Sequence, residues 1–258
     1  MSAKIYAFAN QKGGVAKTTS VYNLAVAKAM LGKRVLMIDT DPQASLTIAC
    51  GIEPGNPDLN GHGILELYTR KKNINLTDAA FAIPKLPEDY FIYIVPSEPN
   101  LALIENEIAT DNERAFFLKD ACDALKNYFD YIFIDCPPNL GIFVTNALVA
   151  ADEAVIPVEP TKLAFSGMDL IKDSIRHVQE SKRLNPDLIL KGAVLTKFRS
   201  NVNTNKMRKN DLEAQDLLLG TVRLSNDVSK VEESGVPVVF GNPKCDAAKD
   251  YEKIAKLL

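Results

Sequence analysis

Gln11-Lys12-Gly13-Gly14-Val15-Ala16-Lys17-Thr18-Thr19 decides the fold, because it stands between an apolar run, Ile5–Ala9, and a helical pattern, Thr18–Leu31. A strand that turns through glycines into a helix aims backbone N–H groups and the positive end of the helix at one point, which is how phosphate is cradled. Here Asn10–Ala16 is the loop and Thr18 opens the helix. Lys17 is placed to reach the terminal phosphates and the Thr18 hydroxyl to bind a magnesium ion. Thr19 adds a phosphate contact from the first helical turn.

On both sides of the loop the chain alternates short apolar runs with helical patterns. Further strands are expected at Val35–Ile38, Phe91–Val95, Tyr131–Ile134, Ala154–Val158, Leu188–Leu195 and Val236–Phe240. They are continuously apolar, as strands of a parallel sheet buried on both faces must be. Helices are expected at Glu113–Tyr128, Phe143–Ala150 and Gly167–Leu184, with Gly32 stopping the first helix. The expected fold is α/β: one doubly wound, mostly parallel sheet with helices on both faces, in a single P-loop domain over 1–258. The turn-rich Gly51–Gly63 reads as a surface loop within that domain.

Composition narrows the function from another side. A net charge of −3 over 258 residues excludes a uniformly basic coat for nucleic acid, though not a local basic patch. Cys50, Cys122, Cys136 and Cys245 form no C-x-x-C pair, which argues against a zinc ribbon and a disulfide framework. His62 and His177 are the only histidines, too few for a histidine-rich metal site and leaving little room for a Ser-His-Asp hydrolase. No apolar stretch of about 18 residues and no secretory leader pattern is present, so a cytoplasmic protein is expected.

Two strands end in carboxylates, on the sheet edge where ligands of open α/β folds bind. Val35–Ile38 runs into Asp39-Thr40-Asp41-Pro42-Gln43, and Tyr131–Ile134 into Asp135-Cys136-Pro137-Pro138. An apolar strand ending in Asp is the Walker B arrangement, whose carboxylate holds magnesium.

The loop departs from G-x-x-x-x-G-K-[ST], since Gln11 and Ala16 stand where its glycines belong. It resembles instead K-G-G-x-x-K-[ST], the deviant Walker A of the ParA/MinD superfamily of P-loop ATPases. That resemblance covers essentially the whole chain, and D-P-Q at 41–43 with Val222-Arg223-Leu224-Ser225 favours the ParA/Soj partition branch. It implies an ATPase using ATP and Mg²⁺, with the nucleotide held by Lys12, Gly13, Gly14, Val15, Ala16, Lys17, Thr18 and Thr19. It further implies that Lys12 reaches the partner's nucleotide in an ATP-dependent homodimer, making Lys12, Lys17 and Asp41 the catalytic set. Asp41 then orders the attacking water, Thr18 and Asp135 serve the metal, and Asp39 lies near its shell. The segment Val222–Ser225 borders the base. Relatives mostly carry glycine at the position of Ala16, and an alanine is expected to keep φ negative there.

ParA-like proteins bind DNA nonspecifically as ATP dimers, and a ParB-like or other cargo-bound protein stimulates hydrolysis. Lys197, Arg199, Lys206, Arg208 and Lys209 lie in a stretch with no acidic residue, and Arg223 follows; these cations are the expected DNA surface, with nucleoid association as its corollary. The short ParA type, without an appended DNA-binding domain, is expected. The alternative is a membrane-associated positioning ATPase of the MinD kind, which needs an amphipathic tail. Tyr251–Leu258 has apolar residues at helical spacing but serves equally as a helix packed on the domain. A metabolic P-loop enzyme, such as an amide ligase or iron–sulfur scaffold ATPase, is a third class. The second expects a C-x-x-C near the C-terminus, which is missing, and no substrate pocket for the first is identifiable.

Overall fold

The computed structural model describes residues 2–56, 63–68 and 80–258. Eight strands form one sheet: β1 Lys4–Phe8, β2 Val35–Asp39, β3 Phe81–Ala82, β4 Ile92–Val95, β5 Tyr131–Asp135, β6 Glu153–Val158, β7 Ile189–Phe198 and β8 Leu218–Arg223. Their order is β3-β4-β2-β5-β1-β6-β7-β8, with β3 antiparallel to β4 and every other pairing parallel.

Alternate residues of each strand feed two cores. Ile5 and Ala7 face α3 Ile64–Tyr68, α4 Leu101–Glu107, α5 Phe117–Leu125, α6 Ile142–Ala150 and α7 Lys162–Glu180. Tyr6 and Phe8 face α1 Lys17–Met30, α2 Ser45–Ala49, α10 Val238–Gly241 and α11 Asp246–Ala255. The remaining helices are α8 Asn203–Ala214 and α9 Asn226–Glu232. Burying each large apolar side chain contributes about 1.5–3 kcal/mol, so both faces of the sheet contribute to stability. The expected doubly wound α/β fold is the observed one.

Local differences have physical causes. Val236–Phe240 is not a strand: Pro237, which has no N–H to give a ladder, precedes the short helix α10. The last parallel strand is instead β8, pairing with β7. α7 begins at Lys162, ahead of Gly167, because the Thr161 side chain accepts a hydrogen bond from Ala164 N at 3.3 Å and caps it. α5 is shorter than its apolar pattern at both ends. Gly32, at φ 74, closes α1 with its N–H on Ala29 O at 2.8 Å, as expected. Residues 57–62 of the expected loop Gly51–Gly63 lie outside the described residues, as does His62.

The tail packs on the domain. Tyr251 and Ile254 of α11 are buried in the core that α1 shares, and the Tyr6 hydroxyl donates to Leu258 O at 2.6 Å. Among the described residues, no helix is long and apolar enough to cross a membrane.

Candidate nucleotide site

The loop between β1 and α1 carries two left-handed residues, Gly14 at φ 76 and Ala16 at φ 62. Such alternation turns successive N–H groups to one side and forms an anion-binding concavity. The expectation that Ala16 keeps a negative φ is overturned. An L-residue in this region costs roughly 1–2 kcal/mol, so the surroundings must impose it. They do so through several bonds. Val15 is fully buried and its carbonyl accepts from Thr196 Oγ1 at 2.9 Å. The Gly14 carbonyl accepts from Lys197 Nζ at 2.6 Å. The Ala16 carbonyl accepts from both Ser20 N and Ser20 Oγ, at 3.0 and 2.7 Å.

The entrance of the loop is equally fixed. Buried Asn10 donates from Nδ2 to Pro157 O at 2.8 Å, and its Oδ1 accepts from Lys12 N at 3.0 Å. Gly167 of α7 lies against this turn: a Cβ there would stand 3.0 Å from Asn10 Oδ1 and 3.3 Å from Lys12 N. Lys12 itself is exposed and forms no ion pair among the described residues.

Strands β2 and β5 bring Asp39 and Asp135 side by side in register, both buried. The Thr18 hydroxyl donates to Asp135 Oδ2 at 2.6 Å, while Asp135 Oδ1 is buried without a hydrogen-bond partner. Burial, then the charge of Asp39, pushes the Asp135 carboxyl up to about 8, against the Thr18 hydrogen bond and the Lys17 charge. A desolvated carboxylate oxygen with no donor, beside a hydroxyl, suits a hard divalent cation that prefers oxygen ligands. Thr18 and Asp135 therefore fit magnesium.

Asp39 lies beside Asp135, with both of its oxygens engaged by protein donors. Its Oδ2 accepts from Thr47 N at 2.9 Å and Thr47 Oγ1 at 2.8 Å, and its Oδ1 accepts from Asp41 N at 3.1 Å. Burial raises its carboxyl to about 6, and these hydrogen bonds oppose the rise. Thr40 lashes the same loop to β5, donating from N and Oγ1 to Asp135 O at 3.0 and 2.7 Å. Asp41 is half-buried, its Oδ1 accepting from Gln43 N at 2.9 Å.

A cleft of about 540 Å³ opens over the loop, lined by Gly13, Gly14, Ala16, Lys17, Thr18, Thr19 and Asp41 on one side. Val222, Leu224, Ser225, Ser229 and Glu232 line the other, where Val222–Ser225 was expected to border a base. The volume suits a nucleotide-sized molecule.

A family model described as an AAA domain, AAA_31, matches residues 3–190. Sporulation initiation inhibitor protein Soj of Bacillus subtilis is 35% identical over 257 residues, covering 98% of this chain and 97% of that protein. The chain belongs to the ParA/Soj family of ATPases. A plasmid partition protein of Borrelia burgdorferi, solved with AMPPNP, matches with a TM-score of 0.80 and 28% identity over 100% of this chain and 98% of that one. Cobyrinic acid a,c-diamide synthase from Mycobacterium smegmatis, solved with an ATP analog and magnesium, also gives 0.80 at 28% identity, covering 98% and 93%. As a ParA/Soj ATPase the chain uses ATP and Mg²⁺.

The cations expected to meet DNA divide into two groups in this ParA/Soj chain. Lys197, though exposed, is already engaged, bonded to the Gly14 carbonyl and paired with Glu159. Arg223 pairs with Asp246 at 2.9 Å and Asp250 at 2.8 Å. Arg208 pairs with Asp211 at 3.1 Å and lies over the Phe165 ring, and Lys209 pairs with Glu213 at 2.9 Å. The acidic partners follow the basic stretch in sequence, and helical spacing in α8 brings Asp211 and Glu213 back onto it. Arg199 and Lys206 are exposed and unpaired among the described residues. Lys244, which the sequence reading passed over, shares a groove with Arg199, Ser200 and Asn201. Thr47, Thr196 and Gly167 were also passed over, since each acts through a contact made only when distant segments meet.

Proposed function

We propose that the chain is a dimerising ATP switch that grips DNA nonspecifically while ATP-bound and positions a cargo until a partner protein triggers hydrolysis. The observation that carries this reading is Lys12. It projects from a rigidly anchored turn with no counter-charge of its own, while Lys17 already serves the phosphates of its own cleft. An exposed lysine with no local partner is suited to a phosphate supplied from across an interface.

Phosphoryl transfer to water needs positioning and charge neutralisation more than covalent chemistry. Lys17, 8% exposed at the start of α1, holds positive charge beside the helix N-terminus. Asp41 orients the attacking water and takes up its proton. Lys12 of a second copy adds charge only when two chains face each other, so ATP binding and self-association become linked equilibria. Magnesium, held by Thr18 and Asp135, would neutralise phosphate charge.

In the basic stretch and the groove beside it, Arg199, Lys206 and Lys244 are exposed, without an ion pair among the described residues, and available for DNA phosphates. The partition names among the relatives support a cargo such as a plasmid or chromosome. Membrane association of the MinD kind is disfavoured because α11 spends its apolar residues on the domain core.

The test is to measure mass in solution and DNA retention with ADP, ATP and no nucleotide. A doubled mass and salt-sensitive DNA retention with ATP alone are expected. A chain that stays monomeric with ATP, or holds DNA equally in all three states, is not this switch.

A further inference from the structure

The two strand-end aspartates, Asp39 and Asp135, do different work, and the difference lies in what each carboxylate touches. Asp135 keeps one oxygen buried without a partner; Asp39 has both oxygens engaged by the protein. The acceptor bonds of Asp39 lead to two places. One is the backbone N–H of Asp41, two residues on, and the other is Thr47 at the start of α2. Thr47 is fully buried, and its hydroxyl oxygen accepts in turn from Ser97 N at 2.9 Å, just past the end of β4. Thr47 thus joins three segments: the end of β2, the first turn of α2 and the exit of β4.

We propose that Thr47 is a positioning residue for hydrolysis, acting through Asp39 on Asp41. Among the described residues the N–H of Asp41 is anchored by the Asp39 Oδ1 bond, and the orientation of that carboxylate depends on the paired bonds from Thr47. Downstream, Ala44 sits at φ 52, so the loop between β2 and α2 is held in a conformation its own sequence does not favour. Without the Thr47 hydroxyl, Asp39 loses one of its three donors and Ser97 N loses its acceptor, both in a dry site. The carboxylate then turns, and Asp41 shifts relative to the attacking water. A misplacement of about 1 Å can cost on the order of 100-fold in rate without loss of substrate binding. Thr47 lies outside the residues lining the cleft, so its removal leaves the contacts to nucleotide in place.

This inference rests on Asp41 ordering the nucleophile, and the experiment separates the two. Steady-state ATP hydrolysis and ATP affinity would be measured for the full chain, Thr47→Val, Thr47→Ser, Asp41→Ala and Asp41→Ala/Thr47→Val. Thr47→Val keeps the shape and removes the hydroxyl. It is expected to lower kcat on the order of 10-fold or more with KM for ATP within about 2-fold, while Thr47→Ser restores most of the rate. In the Asp41→Ala background, Thr47→Val should lower the rate no further, because both act on one step. Turnover unchanged in Thr47→Val, or equally low in Thr47→Ser with both melting alike, overturns the inference. So does a full additional loss in the double variant. Normal turnover in Asp41→Ala instead overturns the role of Asp41 itself.

Discussion

The Thr18 hydroxyl and the Asp135 carboxylate are in direct contact, Oγ1 to Oδ2, at 2.6 Å. The two groups proposed to hold the metal are therefore already assembled by the fold, with one carboxylate oxygen buried and without a hydrogen-bond partner. Holding it there costs stability, since a buried carboxylate oxygen without a hydrogen-bond partner is unfavourable and the Thr18 bond and Lys17 charge offset only part of that. Asp135→Asn is expected to raise the melting temperature of the nucleotide-free protein by about 2–4 °C, the shift for roughly 1 kcal/mol in a chain of this size. The same variant should lose the additional melting shift that magnesium-ATP gives the parent. Parallel melts with and without magnesium-ATP check both halves.

Asp41→Ala is expected to bind ATP normally and to accumulate as a dimer without turnover, because only the nucleophile's orientation is lost. Hydrolysis and mass in solution, measured on one preparation, decide it. Wild-type turnover in this variant would remove Asp41 from the mechanism.

Lys12→Ala and Lys17→Ala should separate. Lys17 is buried in its own cleft, so its loss should weaken nucleotide binding to the monomer. Lys12 is exposed beyond the Asn10 turn, so its loss should spare monomer binding and abolish dimer-dependent hydrolysis. Titration with a fluorescent ATP analogue at low protein concentration distinguishes them. Equal loss of affinity in the two would contradict a role across the interface.

For DNA, Arg199 and Lys206 are the cations of the basic stretch that are exposed and outside ion pairs among the described residues. Arg199→Ala/Lys206→Ala should weaken ATP-dependent DNA binding and reduce the slope of log K against log salt by about two. Arg208→Ala/Lys209→Ala, which removes cations already paired on α8, should change the slope less. If the second pair has the larger effect, the DNA face is the side of α8 that carries Arg208 and Lys209.

Ala16→Gly tests the left-handed geometry of the loop. Glycine relieves roughly 1–2 kcal/mol of strain and returns part of it through a more flexible unfolded chain. A net rise of about 2 °C in melting temperature is expected. A fall would mean that Ala16 is not held at positive φ in solution.

Most of the fold was legible because its central strands are buried on both faces and read as unbroken apolar runs. The motif residues were legible because phosphate and magnesium chemistry demands particular groups at a strand-to-helix turn. Edges were harder. Val236–Phe240 is as apolar as a strand, yet Pro237 starts a helix there, and β8 gave a weaker pattern because it is only partly buried. The conformation of Ala16 was misread because local preference argues for negative φ, whereas Thr196 and Lys197, some 180 residues away in the chain, enforce the opposite. The orientation of Asp39 was hidden for a similar reason: its partner Thr47 lies eight residues on, across the start of a helix.

Those two tethers from β7 bear on how the ATPase can be divided. The AAA domain match ends at residue 190, and every motif proposed to touch phosphate or magnesium lies before it. Yet the carbonyls of Gly14 and Val15 are held by residues 196 and 197. A fragment cut at that boundary would keep the whole recognisable signature and lose the clamps that shape it. Nucleotide binding is thus a property of the intact sheet, and proteolytic nicking between β6 and β7 should silence a loop it never touches.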